Sequence, residues 1–167
     1  MDKLLMLSSP SLRRPKKEAA LNHVQEVTIL LVEDDAGHAR LIEKNLRRSN
    51  ITNQIITIGE GQAALDYLFD QGQYAGSRSA RPLLVLLDLN LPVLDGYQVL
   101  QYMKADERTK RIPVIILTTT DDTREVARCY ELGCNVYMTK PVDYQRFSEA
   151  IRKLGLFLSV VSVPNGA

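Results

Sequence analysis

The chain has 167 residues, of which 45% are hydrophobic and 25% charged, and 21 basic residues against 20 acidic ones give a net charge of +1. These values fit one soluble globular domain with a substantial core and argue against a multidomain enzyme or a disordered chain. The balanced charge gives no general attraction to nucleic acid or to an anionic membrane. No apolar run is long enough for a membrane span or a signal peptide, so we expect a cytoplasmic protein.

The first 26 residues differ from the rest of the chain. They carry five basic and three acidic residues with two prolines and a serine pair, and they show no helical or alternating periodicity. We expect residues 1–26 to be a disordered N-terminal extension and residues 27–155 to be the folded domain. Residues 156–167 are then a C-terminal extension of the last helix and a tail.

Short apolar runs alternate with amphipathic segments from Val27 onward. The runs at 27–32, 83–87 and 113–117 are almost continuously apolar, as parallel strands covered on both faces by helices would be. The weaker runs at 54–58 and 135–138 predict the second strand and an edge strand. Five amphipathic patterns between and after them predict five helices. The fold class is therefore α/β, a doubly wound five-stranded parallel sheet of the flavodoxin-like type.

Acidic residues stand where helices are predicted to begin. Asp35 is expected to cap the first helix rather than to bind a ligand, and Asp95 precedes the helix that begins at Gly96. Asp122 stands three residues before Glu125 and predicts a capping box.

Polar side chains follow four of the five predicted strands. The first strand ends in Glu33 and Asp34, the third in Asp88, the fourth in Thr118 and the fifth in Lys140. Because ligands of open parallel sheets bind at the carboxyl ends of the strands, these groups should converge at one edge. The converging carboxylates would repel one another, and oxygen ligands of this kind suit Mg²⁺, with Lys140 as a permanent positive charge. Taken singly, each residue could be a cap, strand filler or a surface lysine.

Four sequence blocks carry these positions: ILLVED at 29–34, DLNLPVLDG at 88–96, PVIILT at 113–118 and YMTKP at 137–141. In this order and at this spacing they resemble the blocks of bacterial two-component response-regulator receiver domains. The resemblance covers residues 27–155. The segments at 129–137 and 154–164 further resemble the short stand-alone regulators that accompany bacterial phytochrome kinases.

The resemblance implies a role for each position. Asp88 would be the phosphoacceptor for a histidine kinase, Thr118 and Lys140 would contact the phosphoryl group, and Tyr137 would be the switch aromatic. The protein would signal by contact with a downstream phosphotransfer or effector protein, without an output domain of its own. The implied Mg²⁺ ligands are Glu33, Asp34, Asp88 and the main-chain carbonyl of Asn90.

Two positions depart from the family pattern. Thr119 is bulky for the position after the switch threonine. Thr120 lacks a carboxylate or amide to orient water, so self-dephosphorylation should be slow.

Two other functions are alternatives to that of a receiver domain. A Mg²⁺-dependent phosphohydrolase with an Asp nucleophile would use similar groups, but it would have an Asp-x-Asp pattern after the first strand. Here the acidic residues are contiguous at 33–35, and Ala36 follows them. A flavin protein would need a phosphate loop there, and the three carboxylates would repel that phosphate.

Apolar side chains are crowded near the end of the chain, from Leu154 to Val163. One helical stripe can be buried on the sheet, which leaves Phe157 and Val160 without a partner in the chain. We therefore expect a homodimer with these two residues in its interface, built on the surface of the fourth helix, fifth strand and fifth helix.

Overall fold

The structure is a computed structural model, and it describes residues 26–78 and 83–153 of the chain. These residues form five strands, five α-helices and one turn of 3₁₀ helix at Gly72–Tyr74. The strands are β1 (Thr28–Val32), β2 (Ile55–Ile58), β3 (Leu83–Asp88), β4 (Val114–Thr118) and β5 (Val136–Thr139). The helices are α1 (Ala36–Arg48), α2 (Gly61–Leu68), α3 (Gly96–Ala105), α4 (Thr123–Glu131) and α5 (Tyr144–Lys153).

The strands form one parallel sheet in the order β2-β1-β3-β4-β5. The predicted fold class is thereby confirmed, and the strand bounds differ from the predicted ones by no more than one residue at either end. The three apolar runs form the central strands β1, β3 and β4, and these strands are buried along their whole length. The two weaker runs form its edges, where β2 is only partly buried and β5 alternates between buried and half-buried residues.

Alternation along the central strands divides the core into two layers. Leu30 and Val32 of β1 face the layer that contains α2 and α3, whereas Ile29 and Leu31 face the layer that contains α1 and α5. Phe147 of α5 is fully buried in the second layer. With helices on both faces, the carboxyl edge of the sheet is the place where polar side chains can gather.

The helix caps explain where three helices begin. The Asp35 carboxylate accepts the His38 backbone N–H at 2.9 Å and caps α1 as predicted. Asp95 forms a full capping box with Gln98 at the start of α3. Asp122 caps α4, but it accepts the N–H of Arg124, two residues on.

The expected capping box between Asp122 and Glu125 was therefore wrong. One carboxylate oxygen of Glu125 is buried and accepts no hydrogen bond from the residues that the structure describes.

The predicted terminal extensions fall outside the described residues, apart from Glu26 at the boundary. The same is true of Phe157 and Val160, so the expected dimer interface stays a prediction. Within the described ranges, no helix combines the length and the apolar character that crossing a membrane requires.

Candidate functional site

The parallel register brings the predicted site residues to one edge of the sheet. Val32 at the end of β1 lies opposite Leu87, and Asp88 at the end of β3 lies opposite Leu117. Thr118 pairs with Thr139, so the next residue, Lys140, leaves the sheet beside the end of β4. The Lys140 backbone N–H still donates to the Thr118 carbonyl at 2.7 Å, which holds the lysine at this edge.

Lys140 lies between two buried carboxylates. Its Nζ is 2.5 Å from Glu33 Oε2 and 3.2 Å from Asp88 Oδ2. The side chain of Glu33 is fully buried, and those of Asp88 and Lys140 are 4% and 11% exposed. Because charges at such distances interact strongly when water is largely excluded, the ammonium is the group that lets both carboxylates lie inside the domain.

Burial raises the pKa of Glu33 above its usual range, and the nearby Asp88 carboxylate raises it further, whereas the hydrogen bond from Lys140 lowers it. The second carboxylate oxygen of Glu33 accepts the Asp35 backbone N–H at 3.2 Å. The Glu33 carboxylate is therefore held from both sides. Its raised pKa reflects a buried negative charge that these two donors stabilise only in part.

Asp88 is held by the loop that comes after it. One of its carboxylate oxygens accepts the Asn90 N–H at 3.1 Å, and the other accepts from Lys140. Gly96 makes this loop possible, because a Cβ atom at that position would lie 2.3 Å from the Asp88 carbonyl oxygen. A glycine is thus required for the start of α3 to approach the end of β3 this closely.

Three carboxylates come together here. Oxygen atoms of Glu33, Asp34 and Asp88 lie within 4.8 Å of one another, and Asp34 is the exposed member. A set of carboxylate oxygens that opens to solvent on one side is the donor set that hard divalent cations prefer. The structure thus brings together the three side chains that the sequence predicted as metal ligands.

Thr118 and Tyr137 are linked through the loop after β4. The Thr118 hydroxyl oxygen accepts the Thr120 N–H at 3.3 Å, and the Thr118 side chain is also hydrogen-bonded to Tyr137. The Tyr137 hydroxyl donates to the Thr120 carbonyl, and its ring is partly buried against the core layer of α2 and α3. Burial raises the pKa of Tyr137, which keeps the phenol in its proton-donating form.

One residue that the sequence did not single out also reaches the site. His38 Nδ1 lies 3.3 Å from Lys140 Nζ and 3.6 Å from Glu33 Oε1, although 102 positions separate His38 and Lys140 in the chain. The sequence contained one indication of this: His38 lies in the first turn of a helix that begins directly after the acidic residues. A residue there is close to the carboxyl edge of the sheet.

A cavity of about 260 Å³ opens beside Lys140, between α1 and the segment after β5. Thr119 lies exposed in its wall. The complete lining is His38, Leu41, Ile42, Thr119, Lys140, Pro141 and Val142. The cavity therefore gives solvent or a ligand a route to the lysine.

Comparison with known proteins gives a consistent result. The family model described as the response regulator receiver domain matches residues 29–152. A curated relative, Response regulator Rcp1 of Synechocystis sp., is 40% identical over 137 residues, which cover 81% of this chain and 92% of Rcp1. The Mn²⁺-bound form of Rcp1 is also similar in structure, with a TM-score of 0.65 over 84% of this chain and 99% of that one.

Two other solved structures are similar. The bacteriophytochrome response regulator AtBRR has a TM-score of 0.75 and 37% identity, and the match covers 84% of this chain and 99% of AtBRR. A response regulator receiver domain from Rhodospirillum rubrum is 56% identical with a TM-score of 0.64, and the match covers 83% of this chain and 97% of that domain.

Neither competing function gains support from the geometry. Ala36, the position where a phosphohydrolase of the expected type would have its second aspartate, is the first residue of α1. At the end of β1, where a flavin phosphate would bind, stand the acidic residues of the carboxylate cluster.

Proposed function

Because this chain belongs to the response regulator receiver domain family, we propose that it accepts a phosphoryl group on Asp88 from a histidine kinase. The single observation that carries the proposal is the position of Lys140, whose ammonium contacts the buried Asp88 carboxylate at the open edge of the sheet. A lysine held against a carboxylate at such an edge can stabilise negative charge brought in by a ligand.

The proposed step exchanges one bond to phosphorus for another. An Asp88 carboxylate oxygen forms a bond to phosphorus while the P–N bond of the donor phosphohistidine breaks. The histidine nitrogen leaves with the electron pair and takes up a proton. Negative charge spreads over the three equatorial oxygens, and Lys140 together with the Thr118 hydroxyl would each donate to one of them.

A divalent cation fits the carboxylate cluster, because Glu33, Asp34 and Asp88 offer only oxygen ligands and Asp34 is exposed. We propose that Asp34, Asp88 and the Asn90 carbonyl would hold Mg²⁺, with Glu33 beside them. The cation would neutralise charge on the carboxylates and on the phosphoryl oxygens. The Mn²⁺-bound Rcp1 structure supports this choice by similarity.

Tyr137 and Thr120 would govern the response to phosphorylation and its decay. If the Thr118 hydroxyl moved to the phosphoryl group, its hydrogen bond with the Thr120 N–H would weaken. This would disturb the loop whose Thr120 carbonyl accepts the hydrogen bond from Tyr137. That loop borders α4 and β5, which belong to the surface on which we expect the homodimer to be built. Thr120 has neither a carboxylate nor an amide to orient an attacking water, so self-dephosphorylation would be slow.

The proposed partners are inferred from similarity to phytochrome regulators. AtBRR is a bacteriophytochrome response regulator, which favours a phytochrome-type kinase as phosphoryl donor.

We further propose a cytoplasmic location, which suits the free thiols of Cys129 and Cys134. We also propose a homodimer with Phe157 and Val160 in its interface, which light scattering would test by measuring the molar mass. The mass of a monomer at about 100 μM protein would contradict association with micromolar affinity.

The proposal is tested by incubating the full chain with acetyl phosphate and Mg²⁺ and measuring its intact mass. We expect one added phosphoryl group, abolished by a chelator and by Asp88→Asn. Asp95→Asn is a matched control, since asparagine keeps the cap of α3 in the same loop. Modification of Asp88→Asn to the level of the wild type would contradict the assignment.

A further inference from the structure

The ammonium of Lys140 has three N–H donors, and the structure supplies one acceptor for each. Two are the carboxylate oxygens of Glu33 and Asp88, and the third is Nδ1 of His38 at 3.3 Å. An ammonium group can only donate, so Nδ1 of His38 must present its lone pair. A neutral His38 therefore carries its ring proton on Nε2.

The backbone around His38 is fixed by the cap of α1. The Asp35 carboxylate accepts the His38 N–H at 2.9 Å, and the Asp35 N–H in turn donates to Glu33. Glu33 is the residue that also accepts from Lys140. The first turn of α1 is thereby tied to the same carboxylate as the lysine, which places the imidazole at a defined distance from the ammonium.

We propose that His38 is a positioning residue for Lys140 in the phosphoryl transfer to Asp88, an inference that rests on the proposed function. His38 and Lys140 both line the cavity beside the site, so the N–H held by His38 lies on the open side of the ammonium. The other two N–H groups are engaged with buried carboxylates. His38 thus keeps one donor of Lys140 directed to the side from which a phosphoryl group can approach.

The neutral acceptor matters because hydrogen bonds between charged partners are stronger than those to a neutral partner. An incoming phosphoryl oxygen can displace His38 from Lys140 more easily than it can displace Glu33 or Asp88. Without an acceptor at this position, the ammonium is free to settle deeper between the two carboxylates. The phosphoryl group would then meet a donor that has to be redirected first.

Two variants separate this role from a structural one. His38→Leu keeps a side chain of similar size but has no acceptor, whereas His38→Asn restores an acceptor oxygen at the place of Nδ1. We expect the initial rate of phosphorylation by acetyl phosphate to fall about 3- to 10-fold in His38→Leu, as the loss of one hydrogen bond to a neutral acceptor predicts. His38→Asn should stay within about 2-fold of the wild type.

Lys44→Gln serves as the control, because Lys44 is an exposed residue of the same helix that does not line the cavity, and this variant should leave the rate unchanged. Denaturation of each variant measures its folded fraction, and each rate is divided by that fraction before the rates are compared. A His38→Leu rate equal to that of the wild type, or a His38→Asn rate as low as that of His38→Leu, would overturn the role.

Nuclear magnetic resonance of the ¹⁵N-labelled full chain tests the contact itself without phosphorylation. At a pH where the ring is neutral, His38 should carry its proton on Nε2, and the Nδ1 resonance should shift in Lys140→Met. The histidine signal that is missing from the spectrum of His38→Asn belongs to His38, and the one that remains belongs to His23. A proton on Nδ1 would overturn the inference. If the wild type takes no phosphoryl group on Asp88 at all, the proposed function fails instead.

Discussion

At the scale of single residues, the proposed chemistry depends on Lys140 and the two carboxylates that it joins. Glu33 and Asp88 are buried and close together, and the ammonium lies within 3.2 Å of both. Removing one partner from such a group leaves uncompensated charge in a place with little water. The lysine that we assign to phosphoryl chemistry thus also stabilises the fold.

Lys140→Ala should accordingly destabilise the protein in the presence of a chelator, by about 3 kcal/mol or less given the open side of the site. Saturating Mg²⁺ should raise the free energy of unfolding of Lys140→Ala by more than it raises that of the wild type, because the cation replaces the missing positive charge. Chemical denaturation of both proteins with and without Mg²⁺ measures the difference. Equal stabilisation of the two by Mg²⁺ would contradict this.

Much of the site could be predicted from the sequence, because strand ends in a parallel sheet meet at one edge. Glu33, Asp34, Asp88, Thr118 and Lys140 were placed together on that ground, and the structure brings them together. The contact between His38 and Lys140 could not be predicted in the same way. It depends on the rotation of a helical side chain towards a residue 102 positions away, and no periodicity in the sequence encodes that.

At the scale of elements, the loop between β3 and α3 sets the geometry of Asp88. The loop is tight because the Gly96 N–H donates to the Leu89 carbonyl at 3.0 Å, and Gly96 is the first residue of α3. Val93 in the same loop has a φ of 64° and is fully exposed. A β-branched residue in that conformation is uncommon and carries strain.

Gly96→Ala should cost about 1–3 kcal/mol of unfolding free energy, since its Cβ would lie 2.3 Å from the Asp88 carbonyl oxygen and 2.7 Å from the Leu89 Cα. The displaced backbone should also weaken Mg²⁺ binding. Gly59→Ala is the matched control, because its nearest contact would be an ordinary 3.7 Å. Equal stability and equal Mg²⁺ affinity of the two variants would show that the close approach at Gly96 does not set the site.

The elements themselves were predictable to different degrees. The central strands are continuously apolar and were placed within one residue of their observed ends. The cap at Asp122 was predicted, but its partner was not, because the choice between the N–H groups of Arg124 and Glu125 depends on local backbone angles. The 3₁₀ turn at Gly72–Tyr74 was missed, since so short an element has no periodicity to detect.

At the scale of the whole molecule, the core layer that contains α2 and α3 buries both thiols of the described residues. Cys129 is fully buried and Cys134 is 7% exposed. Burial raises the pKa of the Cys129 thiol to about 11 and that of Cys134 to about 12, from a usual value of 9.0. Both groups therefore remain protonated and unreactive in the folded protein at neutral pH.

The raised thiol pKa values predict how stability changes with pH. Because the unfolded chain releases these protons near pH 9 and the folded chain only near pH 11 to 12, the free energy of unfolding should fall as pH rises from 9. Cys129→Ser/Cys134→Ala should flatten this alkaline decline. Iodoacetamide at pH 8 should label neither thiol until a denaturant is added, and rapid labelling of both in the folded chain would contradict the burial.

The central claim is that Asp88 receives the phosphoryl group. Borohydride reduction converts an aspartyl phosphate to homoserine with release of phosphate, so it marks the modified residue permanently. After phosphorylation by acetyl phosphate and Mg²⁺, peptide mass spectrometry should find homoserine at position 88 and at no other aspartate. Homoserine at position 34 or 35 with none at 88, or no homoserine in a chain that had gained the phosphoryl mass, would contradict the claim.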